Sequence, residues 1–429
     1  MTQINTILWI VATVFLISCG LFYTFKLHFI QFSFKKMFKS LKKESNEKGS
    51  ISPFKTLTLA LAARIGVGSL AGIALGLYKG GVGVIFWIWL SSLITVPNSF
   101  VESTLAVKFH ERDGKFFKGG PAYYIEKGLG FKKLAIIYAI IISLCYLGGF
   151  LAIQSNTIAK CLFDYASVPT IVTGILVAGI SYIIISKGLS RISNFTSFLV
   201  PIMGIIYMIV AVIIIILNFD KVPSILETIF TEAFNFKAFG WGIISSIIIG
   251  VQRGIFSTEA GTGTGAVASG VSETKSPSKQ GYIQMLGVYF TSFIVCTSTA
   301  MIILTSDIDI HSFTDPNGIE ITLRALESHL GNFGIIILLF LVISFAFSTI
   351  ISGYYYGESN IKYIIKKMNN KYIKALEVLV VIILLYGAIA RPSILWESVD
   401  LGLALLAIIN SFSIFMLQGE IKSELGGNK

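Results

Sequence analysis

The residues best suited to chemistry lie where a membrane-crossing helix would be expected. Arg253 to Ser269 reads RGIFSTEAGTGTGAVAS, with a charged pair, two clusters of hydroxyls and four glycines. Gly261, Gly263 and Gly265 fall within five residues. A glycine in a helix interior costs about 1 kcal/mol relative to alanine, so the helix is expected to break there. Irregular backbone at membrane depth survives only where protein buries it or where it lines a watery cavity. Such a stretch is suited to holding a polar solute. Covalent chemistry is not indicated: His28, His110, His311, His329 and the four cysteines are scattered, giving neither a metal cluster nor a nucleophile with its base. An enzyme is therefore not expected.

The motif has a second copy. Ile65 to Ala74 (IGVGSLAGIA) aligns with Ala260 to Ser269 (AGTGTGAVAS) at an offset of about 195 residues. Gly66 matches Gly261, Gly68 matches Gly263, and Ser69 matches Thr264. Paired glycine-interrupted helices in the two halves of a chain mark the midplane site of a secondary transporter. Close helix packing through small residues is the plainer alternative, but it explains neither the clustered hydroxyls nor the buried charges.

These stretches require membrane-spanning elements to position them. The chain is 54% hydrophobic, and its charges cluster in short blocks. Ile7 to Phe25 is long enough to span and lacks a cleavage site. Further spans are expected near 54–78, 83–107, 134–158, 168–186, 192–217, 239–268, 282–305, 332–356, 375–390 and 394–417. That makes about eleven transmembrane helices in an all-α polytopic protein. Alternate loops carry 26 of the 34 lysines and arginines, six lie on the opposite side, and only Arg64 and Arg253 lie inside spans. The basic side is cytoplasmic under the positive-inside rule, which places the N-terminus outside and the C-terminus inside. The +11 net charge thus follows from topology and does not imply a nucleic-acid partner. The bilayer is the expected partner, and no protein partner is implied. The two motif copies are five spans apart and so run in opposite directions.

These residues resemble the alanine or glycine:cation symporter family of amino-acid transporters. The resemblance rests on Ala60 to Gly72 (ALAARIGVGSLAG), Gly80 to Trp89 (GGVGVIFWIW) and Val101 to Glu111 (VESTLAVKFHE). It continues through Gly119 to Gly130 (GGPAYYIEKGLG), Gln252 to Gly263 (QRGIFSTEAGTG), Ser276 to Gly281 (SPSKQG), Phe345 to Ile350 (FAFSTI) and Tyr355 to Glu358 (YYGE). It implies a LeuT-like fold with two inverted five-helix repeats, 54–217 and 239–417. These follow an N-terminal helix and basic loop (1–53) and precede a cytoplasmic tail (418–429). The implied activity is sodium-coupled symport of a small neutral amino acid, alanine- or glycine-like, across a bacterial-type cytoplasmic membrane.

For that activity, Gly66, Gly68, Gly261 and Gly263 can expose backbone groups to a zwitterion. Gln154 and Asn156 either join the pocket or form an interhelical hydrogen-bonding pair. By analogy with the fold, sodium would lie between the carbonyls of Ala62 and Ile65 and the hydroxyls of Ser348 and Thr349. The alternative for those hydroxyls is back-bonding within their own helix. Glu102, Arg253 and Glu259 are expected to gate or support the broken helices.

Several residues depart from the family pattern. Arg64 stands where a small polar residue is usual, and it lies about 13 Å beyond Lys55, near the midplane. Ser69 and Thr258 replace asparagine, Thr291 replaces aspartate, and Gly353 replaces a tryptophan. Losing an acid while gaining a base suggests that Arg64 replaces a cation or binds a substrate carboxylate or acidic side chain. It could equally form a structural ion pair with Glu259 or Glu102. Gly353 is expected to enlarge the pocket. Sodium-independent exchange, or transport of a larger or acidic amino acid, is the alternative function, and a channel is a remote one.

Overall fold

Long apolar runs punctuated by Gly and Pro become helices, and polar residues concentrate on the faces those helices turn toward one another. A computed structural model describes residues 2–42, 51–234, 241–274, 276–314, 316–366 and 368–426. Among the described residues, eight helices are long and apolar enough to cross a membrane: Gln3–Lys26, Val84–Lys108, Lys132–Ala166, Gly188–Leu217, Pro277–Thr305, Asn332–Ile364, Asn370–Ile389 and Pro392–Met416. A ninth span is broken, with Pro53–Arg64 and Gly68–Gly80 meeting at a bend of 52°. Reaching eleven requires counting two more elements. One is the apolar but shorter Thr170–Ile185, and the other is a second broken helix, Trp241–Thr258 followed by Thr264–Ser269. The expected start of the second repeat at 239 and the last three residues of the tail lie outside the described residues.

Several elements among the described residues occupy stretches that the sequence pattern leaves as loops, the short helices Phe34–Ser40 and Pro121–Leu129 among them. Val222–Ala233 and Ile319–Leu330 are 12-residue helices, too short to span, each burying one apolar face. Glu111–Asp113 and Phe116–Lys118 form a small antiparallel hairpin on the lysine-rich side. Several spans also run longer than their hydropathy suggests, Lys132–Ala166 passing the expected end at 158 among them. Pro277–Thr305 begins five residues early because Pro277 occupies the first helical turn, where its missing N–H costs nothing. Asn332–Ile364 continues past 356 with a polar last section.

Polarity is distributed inside out. Ile205, Ile209, Ile213 and Ile216 on Gly188–Leu217 are 46–66% exposed, whereas Arg64, Glu102 and Glu259 are at most 1% exposed. That is the arrangement for a lipid solvent, in which apolar side chains face outward and charges must find partners within. The N-terminal helix completes the bundle. Asn98 donates to the Leu16 carbonyl at 3.1 Å, and Trp9 donates to the Asp400 carbonyl at 3.1 Å.

Candidate functional site

The first broken helix starts at Ser52, whose hydroxyl accepts from the Lys55 N–H at 3.3 Å, with Pro53 in the first turn. It ends at Arg64. Ile65 leaves the helix (φ −90°, ψ 71°), and the chain resumes at Gly68–Gly72 as a wide turn that continues into Ile73–Gly80. At the break, the Val67 N–H donates to Gln154 Oε1 at 3.2 Å. Ser69 Oγ donates to the Gly66 carbonyl at 2.9 Å, and the Ser69 carbonyl accepts from Thr299 Oγ1 at 2.7 Å.

The last carbonyls of a helix lack helical partners. Here the Ala62 carbonyl faces Thr349 Oγ1 at 2.9 Å and Ser348 Oγ at 3.3 Å, and both hydroxyls also lie 2.8–3.0 Å from the Phe345 carbonyl. These hydroxyls thus have carbonyl acceptors both in their own helix and across at Ala62. A Cβ at Gly66 would lie 2.2 Å from Thr349 Oγ1, so this position has no room for a side chain. Two carbonyls and two hydroxyls form a hard-oxygen set that fits sodium. Ile65 caps the same helix end, its N–H bonded to the Leu61 carbonyl at 2.7 Å.

The second broken helix turns through left-handed backbone at Glu259 (φ 57°), Gly261 (φ 88°) and Gly263 (φ 82°). A glutamate in that region is uncommon and must be held by its surroundings. Glu102 Oε2 accepts from the Gly263 N–H at 3.0 Å and from Asn410 Nδ2 at 2.8 Å, while Asn410 Nδ2 also reaches the Gly261 carbonyl at 2.9 Å. Tyr138 donates to the Thr262 carbonyl at 2.8 Å, and Tyr124 donates to Asn410 Oδ1. Thr258 and Thr264 bond locally, to the Gly254 carbonyl at 2.9 Å and Thr262 Oγ1 at 2.8 Å respectively. This corrects the expectation that Gly261 and Gly263 offer free backbone groups to a solute. The Gly263 N–H is already taken by Glu102, and a side chain at Gly261 or Gly263 would strike Leu16 or Pro121.

The two breaks meet through Arg64 and Glu259. Their side chains are fully buried, with Arg64 Nε 3.8 Å from Glu259 Oε2. Arg64 Nη1 donates to the Gln284 carbonyl at 3.2 Å, and Tyr146 donates to Glu259 Oε1. Among the described residues, Arg64 Nε and Nη2, Glu259 Oε2 and the Gln284 amide have no hydrogen-bond partner. The guanidinium fits because Gly265 and Gly287 flank it, where a Cβ would stand 2.4–2.5 Å away. Glu259, and not Glu102, is thus the acid paired with Arg64.

Arg253 does not approach Glu259. It pairs with Asp400 at 2.7 Å, and its guanidinium lies 5.7 and 5.3 Å from the ring centroids of Phe256 and Trp396. Phe256 covers Gly68 and stacks on Phe150 at 5.0 Å, and Phe150 stacks on Tyr146 at 4.4 Å. A column of rings therefore roofs the first break and links Glu259 to the Arg253–Asp400 pair. Asp400 and the rings escaped the sequence reading. An acid inside the apolar stretch 394–417 was the available signal.

Two further expectations change. Asn156 donates to the Gly387 and Ala390 carbonyls at 2.8 and 2.9 Å, so it ties helices together while Gln154 alone reaches the break. Gly353 does not leave open space. A Cβ there would meet Leu151 Cδ1 at 3.0 Å and Tyr146 Cδ1 at 3.4 Å, so those side chains close the position. Thr291 back-bonds to the Gly287 carbonyl at 2.9 Å.

Known proteins resemble this chain along most of its length. The profile described as the sodium:alanine symporter family matches residues 1–427. The amino-acid carrier protein AlsT of Bacillus subtilis is 39% identical over 94% of this chain and 86% of its own length. The sodium/alanine symporter AgcS of Methanococcus maripaludis is 32% identical over 96% of this chain and 92% of its own. Among solved structures, MhsT in complex with L-phenylalanine superposes with a TM-score of 0.64 at 13% identity, covering 87% of this chain and 89% of that one. That likeness establishes the LeuT-like fold.

Proposed function

The chain belongs to the sodium:alanine symporter family of transporters, and from that premise we propose that it carries a small neutral amino acid together with sodium into the cell by alternating access. The observation that carries this reading is the meeting of the Ala62 and Phe345 carbonyls with the Ser348 and Thr349 hydroxyls. These oxygens, with Ile65 at the helix end, would hold the sodium. The amino acid would lie against the first break, beside Gln154 and Gly68 and beneath Phe150 and Phe256, with Ser69 and Gly353 nearby. Arg253 and Asp400 close the lysine-poor side. The repeats 54–217 and 239–417 would rock about this site, with the lysine-rich loops and the C-terminus in the cytoplasm and the N-terminus outside.

Proteoliposomes loaded with potassium and diluted into sodium should accumulate labelled alanine saturably, which also excludes a channel. Thr349→Ala should raise the half-saturating sodium concentration by about tenfold, the loss of one good ligand. Alanine uptake indifferent to the sodium gradient would remove the symport reading.

A second reading rests on Arg64, whose buried guanidinium keeps two of its nitrogens, Nε and Nη2, without hydrogen-bond partners among the described residues. A fixed positive charge there would replace a transported cation, or would bind the carboxylate of an amino acid or of an acidic side chain, and support sodium-independent exchange. Counterflow of labelled amino acid without sodium tests it, and its absence in wild type would leave symport alone. Arg64→Thr should then alter ion dependence or selectivity, and unchanged values would make Arg64 structural.

A further inference from the structure

The lysine-rich face holds a pocket that transport does not use. Its volume is about 310 Å³, and it lies between the hairpin, the start of Gly188–Leu217 and the last turns of Asn332–Ile364. Lys118, Lys187 and Lys362 line it against Asp113 and Glu358. Lys118 is 3.7 Å from Asp113, and Lys362 is 2.9 Å from Glu358, so each acid already has a counter-charge. Lys187 has no ion-pair partner among the described residues. The 30-residue helix Gly188–Leu217 opens into the pocket through Gly188, Leu189 and Ser190, and no side chain caps it. Its leading N–H groups lack helical acceptors, and the positive end of its dipole sits there. An independent sign of a missing ligand comes from the opposite wall. Ser359 is 3% exposed and lines the same pocket, yet its hydroxyl has no hydrogen-bond partner among the described residues. Leaving such a group unpaired is unfavourable.

We propose that this pocket binds a phosphate group, carried either by the headgroup of an anionic lipid in the adjoining leaflet or by a soluble phosphate. The donors stand on different walls: backbone N–H groups on one helix, a hydroxyl on another, and an uncompensated ammonium at the mouth. The diverging oxygens of a tetrahedral phosphate suit donors on separate walls better than the two coplanar oxygens of a carboxylate do. Bound there, the phosphate joins the end of Asn332–Ile364 to the start of Gly188–Leu217. Asn332–Ile364 also carries Ser348 and Thr349, so occupancy restrains the helix that bears the hydroxyls of the broken-helix site.

The test uses the purified full chain in detergent with two probes. Inorganic phosphate is titrated against chloride at constant ionic strength, with melting temperature as readout. Phosphatidylglycerol is titrated against phosphatidylcholine, with melting temperature and native mass spectrometry as readouts. At least one probe should give a saturable upward shift, and Lys187→Gln should weaken it by about tenfold, the worth of one charge-assisted hydrogen bond. A response to phosphate alone assigns a soluble ligand, and a response to phosphatidylglycerol alone assigns a lipid. Lys35→Gln, on the same face but away from the pocket, should leave the response intact. If Lys187→Gln does not fold, Ser359→Ala replaces it with the same expected direction. No saturable response to either probe, an unchanged response in the pocket variant, or an equal loss in Lys35→Gln would overturn the proposal.

Discussion

Arg64 and Glu259 face each other fully buried at 3.8 Å, beyond hydrogen-bonding reach, and polar atoms on both sides lack partners. A buried pair of this kind adds little net stability, but removing one member strands the other. Arg64→Gln is expected to destabilise the protein by about 3–5 kcal/mol, whereas Arg64→Gln with Glu259→Gln should recover most of the loss. Denaturation of the wild type, single and double variants measures this coupling, and equal stability of the single and double variants would show that the charges do not interact. The neighbouring pocket wall makes a second residue-scale prediction. Leu151 fills the space above Gly353, so Leu151→Ala should open room for about three methyl-sized groups and admit larger apolar amino acids. A competition panel reads this, and an unchanged selectivity profile would place Leu151 away from the substrate. Arg64 and Gly353 were legible as anomalies in the sequence, but their neighbours were not. Gln284 is 220 positions from Arg64 along the chain, and no local pattern marks that contact.

The two broken helices are supported differently. The first is held by neutral groups, the Gln154 amide and the Thr299 hydroxyl, and keeps its helix-end carbonyl turned toward hydroxyls. The second is enclosed by Glu102, Asn410, Tyr138 and Tyr124, which satisfy the polar groups that its left-handed turns expose. Glycine spacing revealed both breaks, because three glycines within five to seven residues cannot continue a helix cheaply. The spacing did not reveal the ring column, which roofs the first break and reaches the second at Glu259 through Tyr146. That column ends at Arg253–Asp400, and Asp400→Asn should weaken the closure while nearly preserving shape. Gly72 provides a reporter, since a Cβ there meets only ordinary contacts at 3.8 Å or more with Trp396 and Arg253. With the native cysteines replaced, a cysteine introduced by Gly72→Cys should react with an impermeant thiol reagent about tenfold faster in the Asp400→Asn background, equivalent to ~1.4 kcal/mol of gate stability. Identical rates would show that the ion pair does not control this side.

At the scale of the whole molecule, charge asymmetry and polarity distribution belong to one design. Lysines collect on one face, isoleucines turn outward, and acids and arginine turn inward, as insertion into a bilayer requires. The asymmetry predicts orientation directly. On intact cells with native cysteines removed, Glu227→Cys should label with an impermeant reagent, while Lys36→Cys should label only after permeabilisation. The reverse pattern would invert the topology and exchange the two sides of the transport cycle. The LeuT-like fold holds at 13% identity to MhsT, with a TM-score of 0.64, so the backbone arrangement persists when most side chains differ.

The sequence by itself determined what depends on local composition: the apolar spans, the two glycine breaks about 195 residues apart, the lysine-rich side and the family blocks. Those features depend on propensity, hydropathy and spacing, which act over a few residues at a time. Only the tertiary structure decided which charge answers which, that Ala62 meets Thr349 across 287 positions, and that Leu151 and Tyr146 fill the space at Gly353. Those contacts arise where distant helices pack, and a buried polar atom accepts whichever partner packing brings within reach.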